Sequence, residues 1–174
     1  IPERFGTAAM TIGAARPALE IASDYSTKRK AFGTEIRNFQ AVSFKVADMV
    51  SKLDSSRAMI YTTALALDSG KVKPGRCRRM ASASKKFVTE QCWEVANLAM
   101  QVMGGIGYTD VYPIEKIVRD LRLSMIWVGT NEIMNLIIQH EWYKERAEEL
   151  AQGNKRFSEL DSLNAFAAGE KIYE

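Results

Sequence analysis

The chain predicts an all-α fold, an antiparallel up-and-down four-helix bundle with one additional short helix and a C-terminal helical tail. Three observations carry that expectation. Of the 174 residues, 47% are apolar and only four are proline, so a sizeable core and long helices are both within reach. Apolar residues recur at steps of three, four and seven along four long segments. No run of alternating β-branched residues marks a strand. Four long helices joined by short loops bury their apolar faces most readily as an antiparallel bundle. Residues 1–150 are expected to form this single domain and residues 151–174 a tail.

The first helix is expected over residues 2–30, with Pro2 suited to its first turn. Pro17 lies in its interior, where proline removes a backbone hydrogen bond at a cost of about 3 kcal/mol, so a kink is expected between Gly13 and Pro17. The second helix follows Asn38 as cap and stops before Gly70, with Phe39, Val42, Val46, Met49, Leu53 and Ile60 on one face. A third, over about 75–103, turns Phe87, Val88, Cys92, Val95, Ala99 and Val102 to one side and ends at Gly104-Gly105. The short helix spans about 113–125 and presents Ile114, Ile117, Val118 and Leu121. The last starts at the cap Thr130, uses Ile133, Leu136, Ile137 and His140, and runs to Gly153. Phe39, Val46, Met49, Leu53, Phe87, Val95 and Ile117 are therefore expected to be buried.

Composition sets aside several classes of function. A net charge of +3, scattered along the chain, does not suggest nucleic acid, and the basic run Arg76, Arg78, Arg79, Lys85, Lys86 reads as a solvated face. Cys77 and Cys92 form no CxxC and lack a histidine partner, which argues against a metal site or a disulfide framework and fits a reducing compartment. No apolar stretch reaches the roughly 20 residues of a membrane span. These features predict a cytoplasmic protein, or one of the mitochondrial matrix if the source is eukaryotic. The first residue is Ile rather than Met, just before a helix, and the chain is expected to be a fragment. His140, the only histidine, lies on the apolar side of its helix and is expected in the core or at an interface.

Three local motifs each carry two readings. Around Arg29-Lys30-Ala31-Phe32-Gly33 a guanidinium could hold a phosphate while Phe32 covers a flat ring. The plainer reading is a basic helix terminus that complements the macrodipole. Gln101-Val-Met-Gly104-Gly105-Ile-Gly107-Tyr108 either lets backbone approach a ligand or only caps a helix. No strand precedes it, so it is not a dinucleotide fingerprint. Gly129-Thr130 either offers backbone N–H groups to an anion or caps the last helix.

Four anchors, in order, resemble the C-terminal helical-bundle domain of acyl-CoA dehydrogenases over residues 2–145. They are Glu3-Arg4 with Gly13 ten residues later, Arg29-Lys-Ala-Phe32-Gly33 followed by Phe39-Gln40, the Gln101 to Tyr108 glycine segment, and Tyr112-Pro-Ile-Glu-Lys-Ile-Val-Arg119-Asp120 leading into Gly129-Thr130. Each anchor alone is unspecific; together they keep the family's order and spacing.

The resemblance implies an FAD enzyme that oxidises an acyl-CoA thioester to its 2-enoyl form and passes electrons to an electron-transfer flavoprotein, commonly as a homotetramer. By the same resemblance, Arg29 and Phe32, with Gln40 nearby, face the FAD of a neighbouring subunit. Gln101, Gly104 and Gly105 match its adenosine side, and Thr130 and Glu132 a flavin-proximal helix start. Arg4 matches a substrate-site residue, Trp127 the aromatic beside the catalytic loop, and Val128 and Gly129 the loop that meets the thioester. The departure is Val128, where most members carry a glutamate base. In the isovaleryl-CoA and long-chain branches the base stands before the first helix's arginine, a place filled here by Glu3. The plain reading of Glu3 is an acidic residue in a first helical turn, favoured by the dipole.

Two other functions remain open: a non-catalytic acyl-CoA dehydrogenase-like scaffold, which a missing acid at position 128 would allow, and a generic helical interaction module. The family's N-terminal helical domain and middle β-domain are not among these residues. The fragment alone is therefore expected to lack tightly bound FAD and activity, and to self-associate.

Overall fold

The computed structural model describes residues 1–152. Among these residues there are five α-helices: α1 Pro2–Lys28, α2 Gln40–Asp68, α3 Pro74–Met103, α4 Ile114–Ser124 and α5 Asn131–Ala151. The all-α expectation holds. One feature was not expected: a two-stranded hairpin, β1 Lys30–Ala31 and β2 Thr34–Glu35, pairs antiparallel between α1 and α2. Its turn places Phe32 and Gly33 at positive φ, the left-handed region that a glycine adopts freely and a phenylalanine rarely does.

Side-chain pairs fix the helix directions. Lys52 reaches Glu94 and Gln91 while Thr63 meets Ser84, so α2 runs antiparallel to α3. Arg79 meets Glu145 and Thr89 meets Asn131, so α5 does too. α2, α3 and α5 thus alternate in direction, as in an up-and-down bundle. α3 is the hub and packs on α1, α2, α4 and α5. Close packing on α1 follows from small residues there: Thr7, Ala8, Thr11, Ala15, Ala18, Ala22 and Ser26 are its buried positions. They let the α1 backbone approach Val88, Cys92, Val95 and Ala99 of α3, all fully buried.

α1 continues through Pro17, with Ile1 as its N-cap position. The cap assigned to Asn38 is a correction. Residues Ile36–Asn38 form a 3₁₀ turn, Phe39 occupies the cap position without a side-chain hydrogen bond, and the Asn38 side-chain amide donates back to Thr34 Oγ1 of β2 instead. α4 and the Thr130 cap are as expected, the Ile133 amide donating to Thr130 Oγ1 at 3.4 Å.

Of the expected core, Met49, Leu53 and Val95 are buried, and Phe39, Val46 and Ile117 half-buried. Phe87 is a correction: it is 36% exposed, because it lies two turns from solvent-facing Glu94, beside the stripe of Lys85, Val88, Cys92 and Val95 that α3 buries.

The face of α5 is a larger correction. Ile133 and Leu136 are exposed, as is His140, while Asn131, Met134 and Glu141 point inward. α5 docks on α3 through polar partners. Glu141, its side chain only 4% exposed, accepts from Arg78 at 2.8 Å, and Glu145 takes two bonds from Arg79 at 2.9 Å. The basic run is therefore only partly a solvated face: Arg78, Arg79 and Lys85 are partners of α5, Lys86 pairs with Glu90 within α3, and Arg76 is exposed. The expected end of this helix at Gly153 and the helical tail lie outside the described residues.

Candidate functional site

α1 and α4 enclose a groove of about 300 Å³ lined by Thr7, Met10, Thr11 and Ala14 on one side and Leu121, Leu123, Ser124 and Trp127 on the other. Its lining is mostly apolar, with Asp120 at one edge. Glu3 precedes Thr7 by one turn of α1, so it shares a helix face with the groove wall. Glu3 itself is exposed and Arg4 half-buried. Arg4 lies near enough to Lys85 for its charge to oppose protonation there, and Lys85 in turn bonds Gly129. The Glu3-Arg4 start of α1 and the Trp127-Val128-Gly129 loop thus meet at one end of the bundle.

That loop is unusual in its backbone. Val128 has φ +56° and Gly129 φ +90°, and a β-branched residue in the left-handed region is a genuine outlier. A side chain at Gly129 would also come within 3.0 Å of Met134 Cε. Strain of this kind persists only where the surroundings enforce it. Here Lys85 is fully buried and donates to Met125 O (3.2 Å), Gly129 O (2.9 Å) and Asn131 Oδ1 (2.8 Å). Asn131 also donates to Thr89 Oγ1 and Glu90 Oε1 and takes its backbone bond from α4, its amide donating to Met125 O.

Burial pushes the Lys85 ammonium down to about 8, only partly offset by Glu132 and Glu90. The Glu132 carboxyl is held below the usual range by its own backbone N–H and the Thr130 hydroxyl, with smaller help from Arg122 and Lys85. In sequence Lys85 stands in a charge run and looks solvated. A signal was present: Ala81, Lys85, Val88 and Cys92 step by four, three and four along the stripe that proves to be buried.

The second cluster lies at the other end of α3. Lys85 and Gly104 are 19 residues apart, roughly 28 Å at the helical rise. There Tyr25, Arg29, Ile36, Val102, Met103, Gly104, Gly105 and Ile106 surround a cleft of about 390 Å³. Arg29, Gly104 and Gly105, distant in sequence, line this one cleft together. Gly104 adopts φ +65°, and the Cβ positions of both glycines are open space. Phe32 stands 98% exposed at the hairpin tip, edge-on to Phe39 at 6.2 Å. Gln40 opens α2 beside that hairpin, and Gln101 sits in the last turn of α3; both are exposed, and neither lines the cleft. Thr130 and Glu132 belong to the first cluster, where Thr130 serves as the α5 cap.

Residues 2–142 match the profile of the acyl-CoA dehydrogenase C-terminal domain. An acyl-CoA dehydrogenase of Bacillus subtilis is 39% identical over 135 residues, which are 78% of this chain and 35% of that protein. The caffeyl-CoA reductase-Etf complex subunit CarC of Acetobacterium woodii is 36% identical over the same shares. The solved butyryl-CoA dehydrogenase of Megasphaera elsdenii superposes with TM-score 0.75 at 32% identity, over 80% of this chain and 36% of that one. The chain spans about a third of the length of the curated relatives it matches. It belongs to the acyl-CoA dehydrogenase family and corresponds to that family's helical C-terminal domain.

Proposed function

We propose that this chain is the C-terminal domain of an FAD-dependent enzyme that oxidises an acyl-CoA thioester to the 2-enoyl-CoA, with Glu3 as the base. The observation that carries the reading is the pairing of an acid-free but conformationally held loop at Val128 with a carboxylate one turn from the groove that ends at Trp127. Valine accepts no proton, so another carboxylate must serve, and Glu3 stands at that end of α1.

The residues present fit the flavin nucleotide. Arg29 offers a guanidinium suited to phosphate, Gly104 and Gly105 leave their backbone open to close approach, and Phe32 offers an uncovered ring. Gln40 and Gln101 add amides at the rims of that region, while Thr130 and Glu132 open α5 beside the loop. When bound, FAD supplies the acceptor for the β-hydride, and the electrons then pass to an electron-transfer flavoprotein. The CarC relative, named as a subunit of an Etf complex, supports that partner.

The chain's own residues account for the rest. Glu3 takes the α-proton of the thioester, at a distance and orientation set by α1. The Val128 backbone N–H polarises the thioester carbonyl, a donor that the exchange of glutamate for valine leaves in place. Arg4, Trp127 and Gly129 line the substrate, and the apolar groove keeps water from the reacting carbons. A homo-oligomer belongs to the same reading. Leu136, 60% exposed, shares an outward apolar face of α5 with Ile133 and Tyr143, and Phe32 has no cover among the described residues. The cytoplasm or the mitochondrial matrix is the compartment this reading assigns.

Val128 taken alone favours a scaffold that binds acyl-CoA without oxidising it. Adding acyl-CoA anaerobically to the complete flavoprotein separates the two. Bleaching of the flavin band supports the dehydrogenase, whereas binding without bleaching supports the scaffold.

A further inference from the structure

Lys85 is an ammonium at a fully buried position, hydrogen-bonded to no carboxylate among the described residues. Burying a charge in that way is costly unless every donor is used. Here every donor is used: three N–H groups meet three acceptors, none of them charged. The acceptors are not scattered. Met125 closes α4, Asn131 opens α5, and Gly129 lies between them, so the ammonium joins both ends and the middle of one loop. Within this loop two residues have left-handed backbone: Gly129, the middle fixed point, and Val128 directly before it.

We infer that Lys85 is the positioning residue of the loop 125–131: its ammonium ties the two loop carbonyls to Asn131 and so holds Val128 in the conformation that fixes the direction of its backbone N–H. As a role in catalysis, this rests on the reading of Val128 N–H as the thioester donor. The clamp itself is a property of the chain and is testable without turnover.

The clamp depends on charge. A neutral amine keeps only two N–H donors, so deprotonation leaves one of the three acceptors without a partner and loosens the loop. The groups acting on Lys85 come from each neighbouring element: Arg4 of α1 disfavours the proton, while Glu90 of α3 and Glu132 of α5 favour it. α4 contributes the neutral Met125 carbonyl, and its Arg122 acts on Glu132. Burial outweighs the carboxylates, and the ammonium gives up its proton near pH 8 rather than at the ordinary 10.5. Because the unfolded chain holds this proton to higher pH, the global contribution of Lys85 to stability rises between about pH 8 and 10.5. Loop order falls over the same window. A buried lysine that served packing alone would give the first effect without the second.

The test is amide hydrogen exchange by NMR on this chain, corrected for intrinsic base catalysis. The Asn131 amide, bonded to Met125 O at 3.1 Å, reports the loop, and those of Val95 and Ala99 report the core. Lys85→Met keeps the aliphatic stem and removes the donors. It is expected to lower Asn131 protection at least tenfold with core amides changing less than twofold, and the wild-type chain is expected to show the same selective loss on passing from pH 7 to pH 9. Should Lys85→Met fail to fold, the wild-type pH profile decides. Asn131 protection that stays within twofold across that range, or falls only in step with Val95 and Ala99, overturns the clamp. Failure of the complete enzyme to reduce its flavin would strike the functional reading and leave these amide results unaffected.

Discussion

The polar docking of α5 on α3 makes a quantitative demand of Arg78. Glu141 has a nearly buried carboxylate, and its recorded donor is Arg78, whose own side chain is 54% exposed. Removing one member of a buried ion pair typically costs 3–5 kcal/mol, because the other charge is left without a partner. Water reaches the Arg78 side, so Arg78→Met is expected to fall below that range, at about 2–3 kcal/mol, or roughly 5–10 °C in melting temperature for a domain of this size. Adding Glu141→Leu in the same background removes the stranded charge and is expected to restore at least half of the loss. The Arg79–Glu145 pair, two bonds at 2.9 Å, remains in every variant and keeps α5 in register. Urea unfolding followed by far-ultraviolet circular dichroism, at fixed protein concentration and with unchanged slope, measures these differences. An Arg78→Met variant within 0.5 kcal/mol of the wild type, or a double variant weaker than the single one, would refute polar docking as what holds α5 in place.

Gly75→Ala puts a methyl group 2.6 Å from Glu141 Oε2; it is expected to destabilise the chain in a thermal melt although alanine is the better helix former by about 1 kcal/mol, and a gain in melting temperature would contradict the fixed carboxylate. Cys92, its thiol pushed up to about 12 by burial, is expected to resist alkylation at pH 8 while half-buried Cys77 reacts; mass spectrometry finding Cys92 labelled first would count against α2–α3 packing. The 174-residue chain alone is expected to copurify without FAD and to sediment as a dimer or larger species, and a strictly monomeric chain at high concentration would count against the proposed subunit contacts.

Periodicity made the helices legible wherever the buried partner was apolar. Met49, Leu53 and Val95 declared themselves because α2 and α3 bury ordinary hydrophobic stripes. The same rule misread α5, whose inward residues are Asn131 and Glu141 alongside Met134, while Ile133 and Leu136 face outward. A hydrophobic stripe marks a face that wants cover, without saying whether the same chain supplies it. Lys85 was hidden for the converse reason, since composition treats a lysine beside other basic residues as solvated, and only its register on the Val88 and Cys92 stripe marks it as buried. The hairpin at Phe32-Gly33 is too short to show an alternating pattern. The site anchors were legible as motifs, and the fold adds their grouping: Arg29 with Gly104 and Gly105 at one end, Glu3 and Arg4 with the Val128 loop at the other.

The relocation of the base to Glu3 is the central claim, and stopped-flow reduction of the flavin by acyl-CoA in the complete enzyme tests it most directly. Glu3→Gln keeps the size and shape of the side chain while removing its charge and its ability to take a proton. FAD content and acyl-CoA affinity are expected to stay near wild type while flavin reduction slows by orders of magnitude, at least about a hundredfold. Val128→Glu added to that variant is expected to recover part of the rate, since a base displaced by about 1 Å still loses on the order of a hundredfold. Flavin reduction at a near-normal rate in Glu3→Gln alone would contradict the account and require a base from outside these residues.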